Sequence, residues 1–472
     1  MKRNKGITLI ALVITIIVLL ILAGVAIAML SGQNGILRKA TEAKTKTEQA
    51  QEEEQTKLAQ MEAASNLNGT IHTEKVASIG NKAISVKIPA GFSLSPREGE
   101  QKIETGMVII DQEGNEYVWI PVFEKDANCT WGVDYSTVET KTKDSDEYYT
   151  AIETALKAYT ANYSDSSCKD VWYGDEKYGY YGYYDGTKFI YYTNGNMKEE
   201  EYTKLYREML KSVYNNGGFY IGRYEMGIAV VNSTTEAQEK ARRKMIEYTA
   251  STATNTSTKT VAKGAPSIEG MTTPISKANA VPYNWITQSQ AQMLAEKLGK
   301  KSSYSQVTSS IMFGVQWDAV CVYIEHYDKN NTATTKSDWL KNDNYGKLWG
   351  NYKNSEFKLN RGYYTIEYKY TSNNLLIWVE DYNAKKEIST AWLCITGASE
   401  QNKSLNIYDF GGNVGEYTLE RGNQSWGACV YRGSVFSDSS STGYASNRNK
   451  GYLGATYEKD FDFSSRVALY IK

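Results

Sequence analysis

The sequence predicts an α+β protein that begins with an apolar transmembrane helix, continues as a helical stalk and ends in one large mixed α/β head. Three observations predict this order. An uncharged apolar run lies near the N-terminus, a charged segment with helical character follows it, and alternating strands separated by turns fill the remainder. The chain has 472 residues, about three times the size of a common domain, so several units are expected.

The apolar run Ile7–Leu30 contains 24 residues without a charge. As a helix it would be about 36 Å long, enough to cross the hydrocarbon core of a bilayer. Lys2, Arg3 and Lys5 precede it, which predicts a short cytoplasmic N-terminus. A secretory signal peptide is the competing interpretation, but its apolar region is normally only about 7–15 residues long. Residues 1–30 are therefore expected to anchor a single-pass membrane protein with an extracytoplasmic head.

Basic residues, then Gly6 and the sequence Ile-Thr-Leu-Ile, resemble the N-terminus of type IV prepilins and pseudopilins. In that family a membrane peptidase cuts after the glycine, and the new N-terminus is methylated. The resemblance implies cleavage between Gly6 and Ile7 by a prepilin peptidase, followed by contact with other pilin subunits at the cell membrane. The family's glutamate at the fifth mature position, which normally pairs with a neighbouring subunit, is Ala11 here. An uncleaved signal anchor is the alternative.

Residues 31–65 are predicted to form a helical stalk. Apolar residues are sparse between Ile36 and Ala64. An acidic run, Glu52–Glu54, lies within this segment. No heptad repeat persists, so a solvated spacer helix is favoured over a coiled coil.

The head is predicted to cover residues 83–472. Apolar alternation with turn residues predicts strands at its start, and helical spacing of apolar residues predicts two helices further on. The predicted strands are 86–92, 107–122 with a hairpin turn at Glu113-Gly114-Asn115, and 218–225; the predicted helices are 288–298 and 311–325. Two stretches do not fit a compact core: a Tyr-rich, charged insertion at about 125–215 and a Ser/Thr-rich surface loop over 249–260.

A series of short blocks runs through this head. In order they are VWIPV (118–122), GGFYIGRYE (217–225), PYNWIT (282–287), SQAQMLAEKL (289–298), GVQWDAV (314–320), TGASEQNKSLNIYDFGGNVGEYTLE (396–420), VYRGSVF (430–436) and SRVALYI (465–471). This ordered set resembles the formylglycine-generating (sulfatase-modifying factor) family. The fold of that family is a variant of the C-type lectin fold, so the resemblance implies a C-type-lectin-like head.

The resemblance does not extend to the catalytic metal of that family. Active members bind copper through two cysteines that follow an Arg-Gly-Gly-Ser-type strand, whereas Arg432–Ser441 contains no cysteine. Cys429 precedes this segment and has no partner beyond it, and a soft copper(I) site needs thiolate ligands. We therefore expect no copper and no formylglycine-forming activity.

Composition weighs against other enzyme and partner classes. The chain has 2 histidines and 5 cysteines without a Cys-x-x-Cys pair, which predicts no zinc site. A net charge of −1 predicts no nucleic-acid partner. Asp318 or Glu416 could serve as an acid or base in hydrolysis, but a structural role is the expectation for both. The sequence therefore predicts a protein that is not an enzyme.

The block Asp409–Glu416 resembles the segment through which relatives bind calcium. Carried over residue by residue, the resemblance implies a Ca²⁺ site made by the side chains of Asp409 and Glu416 and by the carbonyls of Gly412 and Val414. A hard cation prefers such oxygen ligands. The alternative is that the two carboxylates only stabilise a turn.

The C-terminal region is rich in residues that suit a contact surface, and residues 437–446 read SDSSSTGYAS. Tyr supplies a large contact area with few rotatable bonds, and Ser and Asn supply adaptable hydrogen bonds, as in antibody loops. The composition also resembles the variable proteins of diversity-generating retroelements, with an ordinary polar loop as the alternative. Gly415 and Tyr417 stand where relatives commonly have tryptophans, which predicts an opened pocket or a changed surface. The candidate ligand-binding residues are Tyr417, Tyr431, Ser437, Asp438, Tyr444, Asn447, Asn449, Tyr452 and Tyr457.

Two functions are consistent with these patterns. The leading one is a non-catalytic, cell-surface, pilin-like display protein whose lectin-like head binds an extracellular protein or glycan. The alternative is a structural minor pilin or pseudopilin of a type IV pilus or secretion system.

Overall fold

The computed structural model describes most of the chain. The described residues are 13–23, 36–126, 131–172, 182–184, 189–191, 197–228, 268, 270–327, 336–341, 349–360, 362–370, 376–381, 384–423, 429–438, 443–450 and 462–472. The chain divides into two compact units, Met1–Gln55 and Thr56–Lys472.

The first unit contains an apolar helical stretch. Residues 13–23 are helical, and their side chains are exposed. This described stretch of 11 residues measures about 16 Å, whereas the hydrocarbon core of a bilayer is about 30 Å thick. Among the residues that the structure describes, no helix combines the length and the apolar character needed to cross a membrane. The predicted fold class, with its transmembrane helix over 7–30, is therefore wrong. The single-pass membrane topology and the cell-surface or pilus location inferred from that helix are wrong with it.

The predicted processing site lies outside the described residues. Gly6, Ile7 and Ala11 all belong to that part of the chain. Cleavage by a prepilin peptidase, methylation and contact with pilin subunits therefore stay predictions. What the structure describes is a set of helices and mainly antiparallel sheets.

The described secondary structure agrees in part with the predicted elements. The helices are α1 (Ile36–Ser65), α2 (Asp146–Tyr159), α3 (Glu199–Asn216), α4 (Gln288–Gly299), α5 (Gly314–Tyr327) and α6 (Lys336–Lys341). The first strands are β1 (Thr70–Val76), β2 (Lys82–Ile88), β3 (Phe92–Leu94), β4 (Val108–Asp111), β5 (Glu116–Pro121), β6 (Cys168–Lys169), β7 (Gly182–Tyr184), β8 (Phe189–Tyr191), β9 (Gly218–Gly222), β10 (Gly227–Ile228), β11 (Val281–Pro282) and β12 (Val307–Ile311). The later strands are β13 (Phe357–Lys358), β14 (Tyr363–Tyr370), β15 (Leu376–Glu380), β16 (Lys385–Lys386), β17 (Trp392–Cys394), β18 (Lys403–Ser404), β19 (Ile407–Tyr408), β20 (Gly415–Gly422), β21 (Cys429–Arg432), β22 (Arg448–Lys450), β23 (Phe463–Ser464) and β24 (Val467–Ile471). The predicted helices over 36–64 and 288–298 are confirmed as α1 and α4.

A six-stranded antiparallel sheet lies in the second unit, with strand order β12-β24-β9-β5-β4-β3. The predicted hairpin between β4 and β5 is confirmed. Asp111 Oδ1 accepts hydrogen bonds from the backbone N–H groups of Glu113 and Asn115 at 2.9 and 2.7 Å. Gly114 has a φ of 84°, a left-handed conformation that glycine adopts without strain. Turn chemistry therefore sets the register of these two strands.

The Tyr-rich segment predicted as an insertion contains part of the core. Within 125–215, α3 packs against β9 and β24 of the main sheet. One face of this helix is buried, and it comprises Tyr202, Leu205, Tyr206, Met209, Leu210 and Val213. Such spacing is typical of a helix that covers a sheet. The prediction that this whole segment stands outside a compact core is therefore wrong, while the predicted loop at 249–260 lies outside the described residues.

The end of α1, from Thr56 onward, belongs to the second unit and packs within it. Ala59 and Ala63 are 1% and 0% exposed. Ser93 Oγ donates a hydrogen bond to the Ala59 carbonyl at 2.7 Å. The small alanine side chains let the helix approach closely, and Gly114 helps because a Cβ there would lie 2.4 Å from Gln60 Nε2. One face of these last turns is thus packed, whereas Leu58 and Met61 on the other face are exposed. The prediction of a wholly solvated helix is wrong for the packed face.

A second sheet, with strand order β22-β21-β20-β23, carries the candidate site. β20 pairs antiparallel with β21 and parallel with β23. The block 409–416 forms the turn that enters β20, and residues 437–449 lie after β21 and extend into β22. The two candidate sites from the sequence therefore belong to one sheet.

Candidate functional site

The predicted calcium block forms a tight turn ahead of β20. Asp409, Gly412 and Asn413 have left-handed backbone conformations, with φ values of 53°, 77° and 57°. Gly412 leaves no room for a side chain, because a Cβ there would lie 2.1 Å from the Asn351 carbonyl oxygen. Asp409 Oδ2 closes the turn by accepting a hydrogen bond from the Gly397 N–H at 2.7 Å. The block is thus a backbone turn held in place by its neighbours.

Glu416, the last residue of this block, is paired with an arginine. Arg466 Nη2 and Nε donate to its Oε1 at 2.6 and 3.1 Å, and both side chains are at most 1% exposed. A calcium ligand must direct its oxygens at the cation instead, so the predicted set of Asp409, Glu416 and two carbonyls does not fit Ca²⁺ in this arrangement. Among the described residues, no three His, Cys, Asp or Glu side chains are grouped so as to hold a metal ion. Calcium binding stays a prediction.

Sequence reasoning missed Glu225, which contacts this block. Its carboxylate accepts hydrogen bonds from Asn413 Nδ2 at 2.8 Å and from the Val414 N–H at 3.2 Å. Burial raises the pKa of Glu225, and the carboxylates of Asp409 and Glu416 raise it further. Burial also raises the pKa of Asp409, to about 7. Glu225 is the last residue of the block GGFYIGRYE, directly after an apolar strand. This position was the signal in the sequence for a buried acid.

A second buried network joins β20, β21 and β22 to α5. Arg432 pairs with Asp318 at 2.8 Å and with Glu420 at 3.3 Å. Arg448 pairs with the same two carboxylates at 2.5 and 2.7 Å. All four side chains are at most 7% exposed. Asp318 is therefore held between two guanidinium groups.

This network also fixes the loop that precedes β22. Arg432 Nε donates to the Asn447 carbonyl at 3.1 Å, and Arg432 Nη2 donates to the Ser446 carbonyl at 3.2 Å. Trp317 Nε1 donates to the Ala445 carbonyl at 2.9 Å. Three consecutive loop carbonyls thus accept hydrogen bonds from buried side chains, which holds the loop backbone in one conformation.

Asp170 is a further buried acid beside this network. Its two carboxylate oxygens accept hydrogen bonds from the N–H groups of Gly314 and Val315, at 2.6 and 2.9 Å, at the start of α5. Burial raises the pKa of Asp170 to about 7, and Glu420 adds to this rise while the two backbone hydrogen bonds oppose it. Asp170 therefore carries a proton at acidic pH and loses it near neutrality.

Tyr417 and Tyr431 belong to the core rather than to a contact surface. They are 1% and 7% exposed. Both rings pack against Phe463, with centroid distances of 5.7 and 4.7 Å. Gly415 makes room for this packing, because a Cβ there would lie 2.6 Å from the Tyr431 ring. The two tyrosines are therefore buried. Ligand contact by them, and an opened pocket or a changed surface at Gly415 and Tyr417, stay predictions.

The other described candidates are half-buried and lie after β21, before β22 or within β22. We name them the 437–449 surface, and they are Ser437, Asp438, Tyr444, Asn447 and Asn449. Asn447 Nδ2 donates to Ser434 Oγ at 2.7 Å, so its side chain is positioned by the turn after β21. Tyr452 and Tyr457 lie outside the described residues. The structure thus brings five of the nine candidates into one region of the second sheet.

The described cysteines are buried. Cys168, Cys321, Cys394 and Cys429 are at most 7% exposed. Burial raises the pKa of both Cys321 and Cys394, which keeps their thiols protonated. These cysteines therefore lack the exposure and the thiolate character of a reactive cysteine.

The resemblances to prepilins and to the formylglycine-generating family rest on the residue blocks quoted above. Comparison with protein-family models, with curated proteins and with solved structures finds no match to this chain.

Proposed function

We propose that this chain is a non-catalytic binding protein whose 437–449 surface contacts a protein or glycan ligand. The observation that carries the proposal is that half-exposed polar side chains lie next to a buried network of ion pairs. Arg432 and Arg448 form that network through their ion pairs with Asp318 and Glu420. The Ser446 and Asn447 carbonyls of the loop accept hydrogen bonds from Arg432.

A fixed backbone favours binding because the loop does not have to be ordered when a ligand arrives. Ordering mobile side chains and loops subtracts from affinity, so a pre-organised surface retains more of its contact energy. Tyr444 adds a large aromatic contact. Asn449 adds an amide whose Nδ2 donates to the Tyr431 hydroxyl, which positions its oxygen as an acceptor. The composition of the surface therefore suits recognition of a polar partner.

Several features favour binding over catalysis. The acidic side chains nominated for hydrolysis, Asp318 and Glu416, are engaged by arginines. Cys429, the cysteine nearest to the copper position of the family, is 0% exposed. The residues that follow Arg432 supply no thiolate for copper. These contacts support structural roles for Asp318 and Glu416.

The test is a search for ligands with the full chain on protein and glycan arrays, followed by affinity measurement for each hit. The double variant Tyr444→Ala/Asn449→Ala should weaken binding by roughly ten-fold or more, because buried contact tyrosines often dominate interfaces. Tyr149→Ala/Asn215→Ala is the matched control, since Tyr149 lies on α2 and Asn215 on α3, and neither helix belongs to the second sheet. Equal affinity of the two variants for every hit, or an absence of hits, would reject the proposal.

A further inference from the structure

A groove opens between α3, α4 and β12 in the second unit. Its volume is about 510 Å³, which falls within the range of about 300–1,000 Å³ usual for small-molecule sites. Met197, Leu205, Met293 and Val307 give it an apolar floor. Leu205 and Val307 are 8% and 1% exposed, so the core holds this floor in place.

Two glutamates on different helices line this groove, Glu201 on α3 and Glu296 on α4. Glu201 Oε2 also accepts a hydrogen bond from the Lys198 N–H at 3.0 Å, which leaves its other oxygen for a ligand. Burial raises the pKa of Glu296, and the charge of Glu201 adds to this effect. The hydrogen bond from Gln292 Nε2, at 2.9 Å, and the charge of Lys300 oppose it. Like charges held above an apolar floor define a position where a cation is stabilised from both sides.

The lysines of the groove lie at its mouth. The Lys204 side chain is 79% exposed and lies 3.9 Å from Glu208. Lys300 and Lys472 are also exposed, and Lys472 Nζ donates to the Ser305 carbonyl at 3.2 Å. Because these ammonium groups reach into solvent, they leave the apolar floor accessible from above.

We propose that this groove binds an aliphatic amine, with the ammonium group between Glu201 and Glu296 and the hydrocarbon body on the apolar floor. The groove is lined by none of the residues of the 437–449 surface, so this site is additional to the proposed function. Met197 and Met293 suit an unbranched chain, because methionine is flexible and polarisable. Neither the ammonium group nor the hydrocarbon body is sufficient alone, since each contacts a different part of the groove.

The experiment measures binding of n-hexylammonium, hexanoate and ammonium to the full chain by calorimetry at low salt. Hexylammonium should bind at least roughly ten-fold more tightly than hexanoate of the same length, because only the cation satisfies the facing carboxylates. Ammonium alone should bind no more tightly than hexanoate, because it has no hydrocarbon chain to bury on the apolar floor. Equal binding of hexylammonium and hexanoate, or no binding of hexylammonium, would overturn the proposal.

Two variants locate the site. Glu296→Gln keeps the size of the side chain and should weaken hexylammonium binding by roughly ten-fold, whereas Glu325→Gln on α5 should leave it unchanged. Met293→Gln should weaken hexylammonium binding and leave the thermal midpoint near that of the parent, since Met293 is only half-buried. Unchanged affinity in both Glu296→Gln and Met293→Gln would place the amine elsewhere and reject the groove.

Discussion

Arg466 donates hydrogen bonds to both carboxylate oxygens of Glu416, at N–O distances between 2.6 and 3.1 Å. The same guanidinium also donates to the carbonyls of Gly222 and Tyr408, at 2.9 and 2.8 Å. It therefore ties β20 to the ends of β9 and β19, and it is the basic partner of the buried acids around the 409–416 turn.

The first prediction concerns removal of this arginine. Arg466→Met should lower the free energy of unfolding by about 3–5 kcal/mol, because it leaves a buried carboxylate without its partner. Arg207→Met is the matched control, since Arg207 forms an ion pair with Asp146 while remaining 39% exposed. That control should cost at most about 1 kcal/mol. Urea unfolding measures both, and similar losses would contradict a special role for Arg466.

The second prediction concerns pH. The pKa of Asp170 is raised to about 7, so its contribution to stability is present below the pKa of the unfolded chain and is lost as pH rises through about 7. Asp170→Asn should remove this loss. Its stability relative to the parent should therefore improve by up to about 1.4 kcal/mol per pH unit between about pH 4 and 7.

Urea unfolding at several pH values across this window measures the slope for Asp170→Asn. Asp146→Asn is the control, because the Asp146 side chain is 80% exposed. It should leave the slope of the parent unchanged. Parallel stability curves for parent and Asp170→Asn would show that Asp170 titrates normally in the folded protein.

The third prediction tests the packing beside Gly415. Gly415→Ala should destabilise the protein by about 1–3 kcal/mol, because the added Cβ would lie 2.6 Å from the Tyr431 ring and 3.0 Å from Val435 Cγ1. In a Tyr431→Leu background the same change should cost less, since the ring is gone. A double-mutant cycle by urea unfolding gives this coupling. Additive losses would mean that the ring does not occupy the space at Gly415.

The fourth prediction compares neighbouring positions on α1. Ala63→Leu should cost about 1–3 kcal/mol, because Ala63 is 0% exposed and a larger side chain overpacks the interface. Ala64→Leu makes the same change at an exposed position, with the same difference in helix propensity. It should alter stability by less than about 0.5 kcal/mol. Equal effects in urea unfolding would contradict docking of this helix end.

Local chemistry made part of the fold predictable. The hairpin at residues 113–115 follows from Asp111, Gly114 and Asn115, whose turn preferences act over a few residues. The helix α4 was predictable because its apolar residues recur with helical spacing and Thr287 caps its start. Both features depend on neighbours in sequence, which a single chain reveals.

Long-range partners were not predictable in the same way. Arg432 and Asp318 lie 114 positions apart, and composition gives no reason to pair them. Tyr417 and Tyr431 were assigned to a contact surface by residue type, yet a parallel strand and Phe463 bury them. The apolar N-terminal run suggested a membrane helix from hydropathy alone, whereas the described helix there covers 13–23. Exposure is a property of the assembled fold, so residue type alone misjudged it.

The position of β24 has a consequence for biosynthesis. This strand lies between β12 and β9, yet it comes last in chain order among the strands that the structure describes. While residues 467–471 are still in the ribosome, the main sheet exists as two parts with unpaired inner edges, and such edges invite pairing with other chains. These edges therefore stay unpaired until β24 has been synthesised. A chain interrupted before Val467 would lack the strand that joins β12 to β9.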